Sequence, residues 1–146
     1  MKYVKIVTVG FSLLLISGCH AQETRDWPDW RGEGRNGVWM ESNIITEFDQ
    51  PEIRLKWRVP LGSGYCGPTI SRGKVYVMDR VTSPDVQERV RCFDTESGRE
   101  LWTHTYASRY EGVGYPAGPR ARVVLHEGMA YSLGTMGHLY CLDALS

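Results

Sequence analysis

Apolar and polar residues alternate along most of the chain after Arg54, which is the pattern of half-buried β-strands. Turns containing glycine or proline separate the alternating runs, and no segment has the spacing of an amphipathic helix. We therefore predict an all-β fold of antiparallel strands. The predicted strands cover residues 55–59, 68–70, 75–78, 88–93, 100–106, 123–125, 129–133 and 138–142.

The clearest local unit is the stretch 91–102, which has the pattern of a strand, a tight turn and a returning strand. In the turn, Asp94 can accept hydrogen bonds from nearby backbone N–H groups, and Gly98 can adopt the positive φ that closes the turn. Trp102 lies on the returning strand. The stretch therefore predicts a β-hairpin.

This hairpin recurs in part further along the chain. Cys92 and Asp94 are matched by Cys141 and Asp143, 49 residues later. Four antiparallel strands in a repeat of about 40 to 50 residues are typical of a β-propeller blade. Three further pairs recur at similar shifts, namely Gly73 with Gly128 and Tyr76 with Tyr131 at 55, and Trp57 with Trp102 at 45.

These matches predict one orphan outer strand around Trp57, one complete four-stranded blade and three strands of a second blade. Because propellers typically close with about 4 to 8 blades, about two blades cannot close a ring. We therefore expect the chain to be the N-terminal piece of a longer protein. In that protein the orphan strand would complete a blade made by residues from the C-terminal part.

The turn sequence resembles the pyrroloquinoline-quinone-like (PQQ-like) β-propeller repeat family, whose tryptophan-docking motif is Ala-x-Asp-x-x-Thr-Gly-x-x-x-Trp. Asp94, Gly98 and Trp102 match this motif, while Cys92 replaces its alanine and Ser97 its threonine. The resemblance implies that the tryptophan couples neighbouring blades. It therefore implies a structural role for the docking set, which comprises Asp94, Gly98, Trp102, Asp143 and Trp57.

The lead-in segment also resembles secreted bacterial members of this family at residues 27–32, and so does the later stretch 112–120. Gly32, Gly34 and Gly37 fit the dinucleotide-binding pattern G-x-G-x-x-G, but no strand precedes them and no helical pattern follows. We interpret this segment as an ordered loop, with Trp27 and Trp30 packed against the body of the protein.

The first 18 residues have the features of an export signal. Lys2 and Lys5 precede an apolar stretch of eleven residues, 6–16, which is shorter than the roughly 20 residues of a membrane-spanning helix. The following Ser17-Gly18-Cys19 resembles the end of a bacterial lipobox, in which the Cys19 thiol carries the lipid. The alternative is an ordinary signal peptide cut near Ala21.

Both alternatives predict export to the periplasm or cell envelope, and the lipobox predicts a membrane-anchored lipoprotein. The predicted organisation is a signal peptide over 1–18, a lead-in segment over 19–53 and the start of the propeller over 54–146. With 17 basic and 17 acidic residues, the chain offers no basic field for a phosphate backbone, which argues against nucleic-acid binding.

The cysteines and histidines predict no metal site. Cys66, Cys92 and Cys141 lack the spacing of a metal-ligand pair, and the histidines have no regularly spaced partners. Cys92 and Cys141 occupy equivalent strand positions and are interpreted most simply as small buried hydrophobic residues. A disulfide between them stays open at this point, because spacing alone cannot decide it.

Candidate ligand-facing residues precede or follow the innermost strand of each predicted blade, where propeller ligands bind. An arginine beside aromatic rings can bind a carboxylate or a planar ring. The alternative is that these side chains only pack or solvate the loops. The candidates are Tyr65 and Arg120, at equivalent positions, together with Arg80 and His138 in turns further along.

Two functions are compatible with this resemblance. The first is a membrane-anchored, non-catalytic propeller that binds a protein or a small molecule, similar to the lipoprotein scaffold of outer-membrane protein assembly. The alternative is a quinoprotein dehydrogenase, which would use PQQ and Ca²⁺. Because such enzymes have a vicinal cysteine pair and this chain has none, we favour the non-catalytic binding function and predict no catalytic residues.

The lipobox makes a direct prediction. Replacing Cys19 with Ala removes the thiol that would carry the lipid, so the exported protein should move from the membrane fraction to the soluble fraction. Fractionation of cells that produce the full chain, followed by immunoblotting, measures this shift. Unchanged partitioning of the Cys19→Ala variant would contradict lipidation at this residue.

Overall fold

The computed structural model of the chain describes residues 26–40, 44–48 and 53–146. Within these ranges the fold is all-β and antiparallel, as predicted, with one 3₁₀ turn at Glu33–Arg35. The predicted signal peptide and Cys19 lie outside the described residues. None of the described residues belongs to a helix with the length and apolar character required to cross a membrane.

The strands form two open sheets. The first sheet has the order β1-β2-β3-β4 and the second has the order β5-β6-β7, with every neighbouring pair antiparallel. All seven coincide with predicted strands to within a few residues. Their bounds are β1 Thr69–Ser71, β2 Lys74–Val81, β3 Gln87–Asp94, β4 Glu100–Ala107, β5 Val124–His126, β6 Met129–Leu133 and β7 Leu139–Asp143.

The predicted strand over 55–59 is not present. The residues alternate in character, but residues 53–62 form no strand because no described neighbour supplies the backbone hydrogen bonds of a ladder. The segment is held by side chains instead. The Trp57 indole Nε1 donates to the Thr95 carbonyl at 2.8 Å, and Lys56 pairs with Glu96.

The hydrophobic core lies between the two sheets. Strand β3 shows the alternation that creates it, because Glu88, Val90 and Cys92 are buried while Arg89 and Arg91 are less so. The buried members of the core come from both sheets and include Tyr76, Met78, Val90, Cys92, Tyr106, Val123, Ala130 and Ala144.

The opposite face of the first sheet carries a buried carboxylate. Asp79 accepts two hydrogen bonds from Arg89, at 2.8 and 2.6 Å, and a third from the Gly62 backbone N–H at 2.7 Å. Burial alone would raise the pKa of Asp79, but Arg89, the Gly62 N–H and Arg91 outweigh it, and the pKa lies below its ordinary value. The bond from the Gly62 N–H to Asp79 therefore anchors the segment before β1 to the sheet.

Two tryptophans connect the elements in the same way. Trp102, on β4, donates from Nε1 to the Ala144 carbonyl at 3.3 Å, as Trp57 does to the Thr95 carbonyl. Both acceptors directly follow an aspartate that ends a strand. The Oδ1 atom of Asp94 accepts from Glu96 N and that of Asp143 from Leu145 N, so both turns have an aspartate bonded to the N–H two residues on.

The three cysteines of the described residues are free thiols. Cys92 is fully buried in the core, and burial raises the pKa of its thiol to about 11. Cys141 is exposed, so its interpretation as a buried residue is wrong. The reason is that its face of the second sheet points away from the first sheet, and no other described element covers it.

Gly98 provides a test of the tryptophan contact. Its φ is +70°, and a Cβ there would lie 2.7 Å from Cδ2 of the Trp57 ring. A Gly98→Ala substitution should therefore combine the cost of a left-handed alanine, about 1–2 kcal/mol, with an overpacking cost of about 1–3 kcal/mol. The decrease in the free energy of unfolding, measured in urea, gives the sum of these two costs.

The matched control is Gly128→Ala. Gly128 has a φ of +79°, but a Cβ there meets no atom within 4 Å, so only the backbone cost applies. We expect the Gly98 variant to lose more unfolding free energy than the Gly128 variant. Equal losses would show that contact with the Trp57 ring does not limit position 98.

Candidate functional site

A cleft of about 390 Å³ lies where the lead-in segment meets the loops before β1 and β5. It combines three aromatic rings with three arginines and one aspartate. Such a mixture of apolar walls and a few convergent polar groups is typical of small-molecule sites. The lining residues are Trp27, Asp29, Trp30, Arg31, Tyr65, Gly67, Pro68, Arg120 and Arg122.

Backbone and side-chain bonds hold the lead-in segment beside the first sheet. Trp27 and Ile70 exchange both backbone hydrogen bonds, at 2.9 and 3.0 Å, so Trp27 extends the sheet next to β1. Asp26 accepts from the Ser71 hydroxyl at 2.7 Å and from the Arg72 N–H at 2.8 Å. These contacts place one wall of the cleft.

Arg122 connects this wall to the second sheet. Its guanidinium donates to the Pro28 carbonyl at 2.6 Å and pairs with the Asp29 carboxylate. Asp29 also accepts from Arg35 at 3.1 Å. The Asp29 carboxylate, which lines the cleft, is therefore shared by two arginines, and its charge is neutralised locally.

The other two arginines face aromatic rings. The Arg31 guanidinium carbon lies 5.7 Å from the Trp30 ring centroid, and that of Arg120 lies 5.6 Å from the Tyr65 centroid. Both distances are within the range of cation–π attraction. With three arginines and one aspartate, the lining carries a formal excess of positive charge, which favours an anionic ligand.

The structure brings two of the four candidate ligand-facing residues together. Tyr65 and Arg120 line the cleft, whereas Arg80 and His138 do not. The Arg80 guanidinium lies 4.0 Å above the Tyr110 ring, and the exposed His138 ring lies 5.3 Å from that of Tyr106. Their proposed contact with the same ligand therefore has no geometric support.

The lining residues that were not among the sequence candidates include Trp30, Arg31 and Arg122. The Trp27 backbone pairs with Ile70 of the first sheet, and its ring lies against that of Trp39. Trp30 is 70% exposed and forms part of the cleft wall, so its predicted packing is wrong.

Neither periodicity nor spacing could indicate that Trp30 and Arg31 lie beside Tyr65 and Arg120. Long-range bonds bring the lead-in segment there, because Trp27 pairs with Ile70 and Arg122 binds Pro28 and Asp29.

Two arginines, Arg80 and Arg120, hold the loop of residues 114–116, which precedes Arg120 in the sequence. Arg120 donates to the carbonyls of Gly114 and Tyr115 at 2.6 and 2.8 Å, and Arg80 donates to the Pro116 carbonyl at 2.6 Å. Tyr115 has a φ of +64°, an uncommon conformation for a residue with a side chain. The clamped carbonyls fix this loop beside the cleft, so Arg120 has both a positioning role and a lining role.

A buried carboxylate connects this loop to both sheets. Glu88, on β3, has no exposed surface and accepts from Tyr106 Oη at 2.6 Å, from Tyr110 Oη and from Thr135 N at 3.1 Å. The Tyr110 hydroxyl also bonds the Thr135 hydroxyl, at 2.8 Å. Four segments therefore meet at Glu88, namely β3, β4, the loop after β4 and the turn between β6 and β7.

The hydrogen bonds to Glu88 favour the charged form of its carboxyl group. Burial alone would raise the pKa of Glu88, but the hydrogen bonds from Tyr106, Tyr110 and Thr135 outweigh it, so the pKa lies below its ordinary value. Burial and the neighbouring carboxylate raise the pKa of Tyr110 to about 12. Glu88 is therefore a charged acceptor at neutral pH, and the tyrosines are neutral donors.

The described residues contain no group of three His, Cys, Asp or Glu side chains that could bind a metal ion. Compared with protein-family models and with curated proteins, the sequence matches none. The cleft therefore has to be interpreted from its own geometry.

The Glu88 network predicts a specific pH dependence. A carboxyl whose pKa is lower in the folded state contributes stability above its unfolded pKa of about 4.3, and this contribution is lost as the pH falls through the folded pKa. A Glu88→Gln variant should therefore be less stable than the parent by about 1.5–3 kcal/mol at pH 7. The difference in unfolding free energy between the two proteins should become smaller as the pH falls.

Urea unfolding of both proteins at several pH values between 7 and 3 measures the difference. Glu96→Gln is the matched control, because Glu96 is exposed and pairs with Lys56 at the surface. It should change stability little at any pH. If the free energies of unfolding of Glu88→Gln and the parent differed by the same amount at every pH, the charge of Glu88 would not be what connects the four segments.

Proposed function

We propose that this chain belongs to an exported, membrane-anchored β-propeller of the PQQ-like repeat type, and that it acts as a non-catalytic binding module. The ligand is a small anion with a flat apolar face, bound in the cleft between the lead-in segment and the two sheets. The observation that carries this proposal is the convergence of Tyr65, Arg120, Trp30 and Arg31 around one opening.

The two tryptophan contacts support the propeller. Trp57 and Trp102 each donate an indole N–H to the carbonyl that follows an aspartate-headed turn. Blades of a propeller repeat one arrangement around an axis, so the same contact should recur from one sheet to the next. A repeated bond of this kind is expected of blades and has no reason to recur in two unrelated sheets.

The arginines support an anionic ligand. Guanidinium groups bind carboxylates through two parallel N–H bonds, and they are stronger partners for planar anions than lysine. In Arg31 and in Arg120, one guanidinium nitrogen, Nη2, donates the hydrogen bonds to backbone carbonyls. The remaining N–H groups of each fork can face an anion in the cleft.

The aromatic rings support a flat apolar portion of the ligand. Trp30 is largely exposed although its indole is among the largest apolar surfaces of the chain. An exposed ring beside arginines offers a stacking surface that becomes buried when a planar ligand enters. The combination therefore suits a ring that carries a carboxylate better than either a simple ion or a neutral ring.

Isothermal titration calorimetry tests this selectivity with three probes. Benzoate has both the ring and the carboxylate, benzyl alcohol has the ring without the charge, and acetate has the charge without the ring. We expect benzoate to bind, and the other two to bind at least about ten-fold more weakly, since each lacks one of the two contacts. Equal binding of all three would contradict the proposal.

Variants locate the site. Trp30→Ala removes an exposed ring, and Arg120→Lys keeps the positive charge but removes the fork, so both should weaken benzoate binding by about ten-fold or more. Arg109→Met is the control, because Arg109 is exposed and does not line the cleft. A loss of affinity in the control equal to that in the cleft variants would place the binding elsewhere.

A further inference from the structure

Arg120 takes its position in the cleft from the loop that joins β4 to β5. Its Nη2 atom donates to the carbonyls of Gly114 and Tyr115, so the direction of its guanidinium follows the path of that loop. Tyr115 is 79% exposed, so burial of its side chain contributes little to the conformation of the loop. Contacts from other parts of the protein therefore have to hold the loop where Arg120 can line the cleft.

Arg80, on β2, binds this loop at two points. Its Nη1 atom donates to the Pro116 carbonyl at 2.6 Å, next to the carbonyls that Arg120 binds. Its guanidinium carbon lies 4.0 Å from the centroid of the Tyr110 ring, which is within the range of cation–π attraction. One side chain thus connects the beginning of the loop to its middle.

The backbone of Arg80 is bonded to the segment that supplies Tyr65. Arg80 and Ser63 exchange both backbone hydrogen bonds, at 2.8 and 3.0 Å, and Ser63 is close to Tyr65 in the sequence. The Tyr65 N–H in turn donates to the Pro119 carbonyl of the loop at 2.8 Å. Arg80 therefore lies between the loop before β1 and the loop before β5, and it binds both of them.

The Tyr110 ring is also held by the interior of the protein. Its hydroxyl donates to the carboxylate of Glu88, which has no exposed surface, and it is bonded to the Thr135 hydroxyl at 2.8 Å. The Thr135 hydroxyl donates to the Gly118 carbonyl at 3.3 Å. The ring that Arg80 contacts therefore cannot move without breaking a bond to a buried charge, which is costly.

We propose that Arg80 is a positioning residue for anion binding in the cleft. It does not line the cleft, but it holds the loop that directs the Arg120 guanidinium toward the ligand. The inference rests on the proposed function, since it concerns the same cleft and the same anion. Arg80 therefore determines the affinity for the charged part of the ligand. The flat part stacks on Trp30, whose segment is held by the bonds of Trp27 and Arg122 instead.

NMR titration with benzoate and with benzyl alcohol tests the role of Arg80. Arg80→Met removes both contacts with the loop and keeps an unbranched side chain. We expect it to weaken benzoate binding about ten-fold, since the Arg120 fork is no longer held toward the carboxylate. The affinity for benzyl alcohol, which has no charge, should stay within about two-fold of that of the parent, because the ring contacts are kept. The preference for benzoate over benzyl alcohol should therefore fall.

Arg80→Lys tests rescue by a residue that keeps the positive charge. Lysine can remain above the Tyr110 ring, but a single ammonium has no fork to bind the ring and the Pro116 carbonyl together. The preference of this variant for benzoate should therefore lie between those of the parent and of Arg80→Met. If Arg80→Met does not fold, Arg80→Lys decides the outcome. A preference equal to that of the parent in every folded Arg80 variant would overturn the proposal.

Arg91→Met is the matched control. Arg91, on the neighbouring strand β3, also donates to a loop carbonyl, that of Pro60 at 3.0 Å, and it lies 4.7 Å from the centroid of the Phe93 ring. It does not line the cleft. This variant should lose stability but keep the preference of the parent for benzoate. An equal loss of preference in Arg91→Met and Arg80→Met would mean that general destabilisation weakens binding, and it would refute the role of Arg80.

Hydrogen exchange of one amide tests the positioning without any ligand. The Tyr65 N–H is protected by its bond to the Pro119 carbonyl, so its exchange rate reports whether the loop keeps its place. In Arg80→Met it should exchange at least about ten-fold faster than in the parent, whereas the Trp27 N–H, which is bonded to Ile70, should change less than about two-fold. Unchanged exchange of the Tyr65 N–H, or equal acceleration of both amides, would contradict the positioning role.

The two measurements separate this inference from the proposed function. If the parent does not prefer benzoate to benzyl alcohol, the proposed function is wrong, and so is the role of Arg80 in anion binding. If the parent prefers benzoate and the Arg80 variants keep that preference, only the role of Arg80 is wrong. Loss of the preference together with faster exchange of the Tyr65 N–H would support both.

Discussion

The arrangement of this protein depends on the contact between an indole and the turn of the next structural element. Trp102 spans from the outer strand of the first sheet to the Ala144 carbonyl at the end of the second. The indole contributes both a partly buried apolar surface, packed against the core, and a directed N–H bond. Because the apolar core then fills the space between the sheets, this contact determines which faces meet, and therefore which side chains are buried.

Two buried carboxylates, those of Asp79 and Glu88, lie where they connect segments, and each accepts at least three hydrogen bonds. Asp79 bonds Arg89 and the Gly62 backbone, which fastens the segment before β1. Glu88 accepts from two tyrosines and one backbone N–H, which fastens the loops beside the cleft. A buried carboxylate is costly unless its oxygens are satisfied, so these positions tolerate little change of partner.

Bonds between segments that are far apart in the sequence also form the cleft. Its walls come from the lead-in segment, from the loop before β1 and from the loop before β5, which are far apart in the sequence. Arginines hold these walls by bonding backbone carbonyls, and the same guanidinium groups supply its positive charge. Arg120 and Arg122 thus both hold the walls of the cleft and line it.

The sequence by itself determined the local structure, because alternation and turn chemistry act over a few residues. All seven strands and the aspartate turns at Asp94 and Asp143 followed from it. Only the tertiary structure decided that residues 55–59 stay unpaired, that Cys141 is exposed and that Trp30 joins Tyr65 and Arg120. Those outcomes depend on which distant segments meet, and neither residue spacing nor periodicity carries that information.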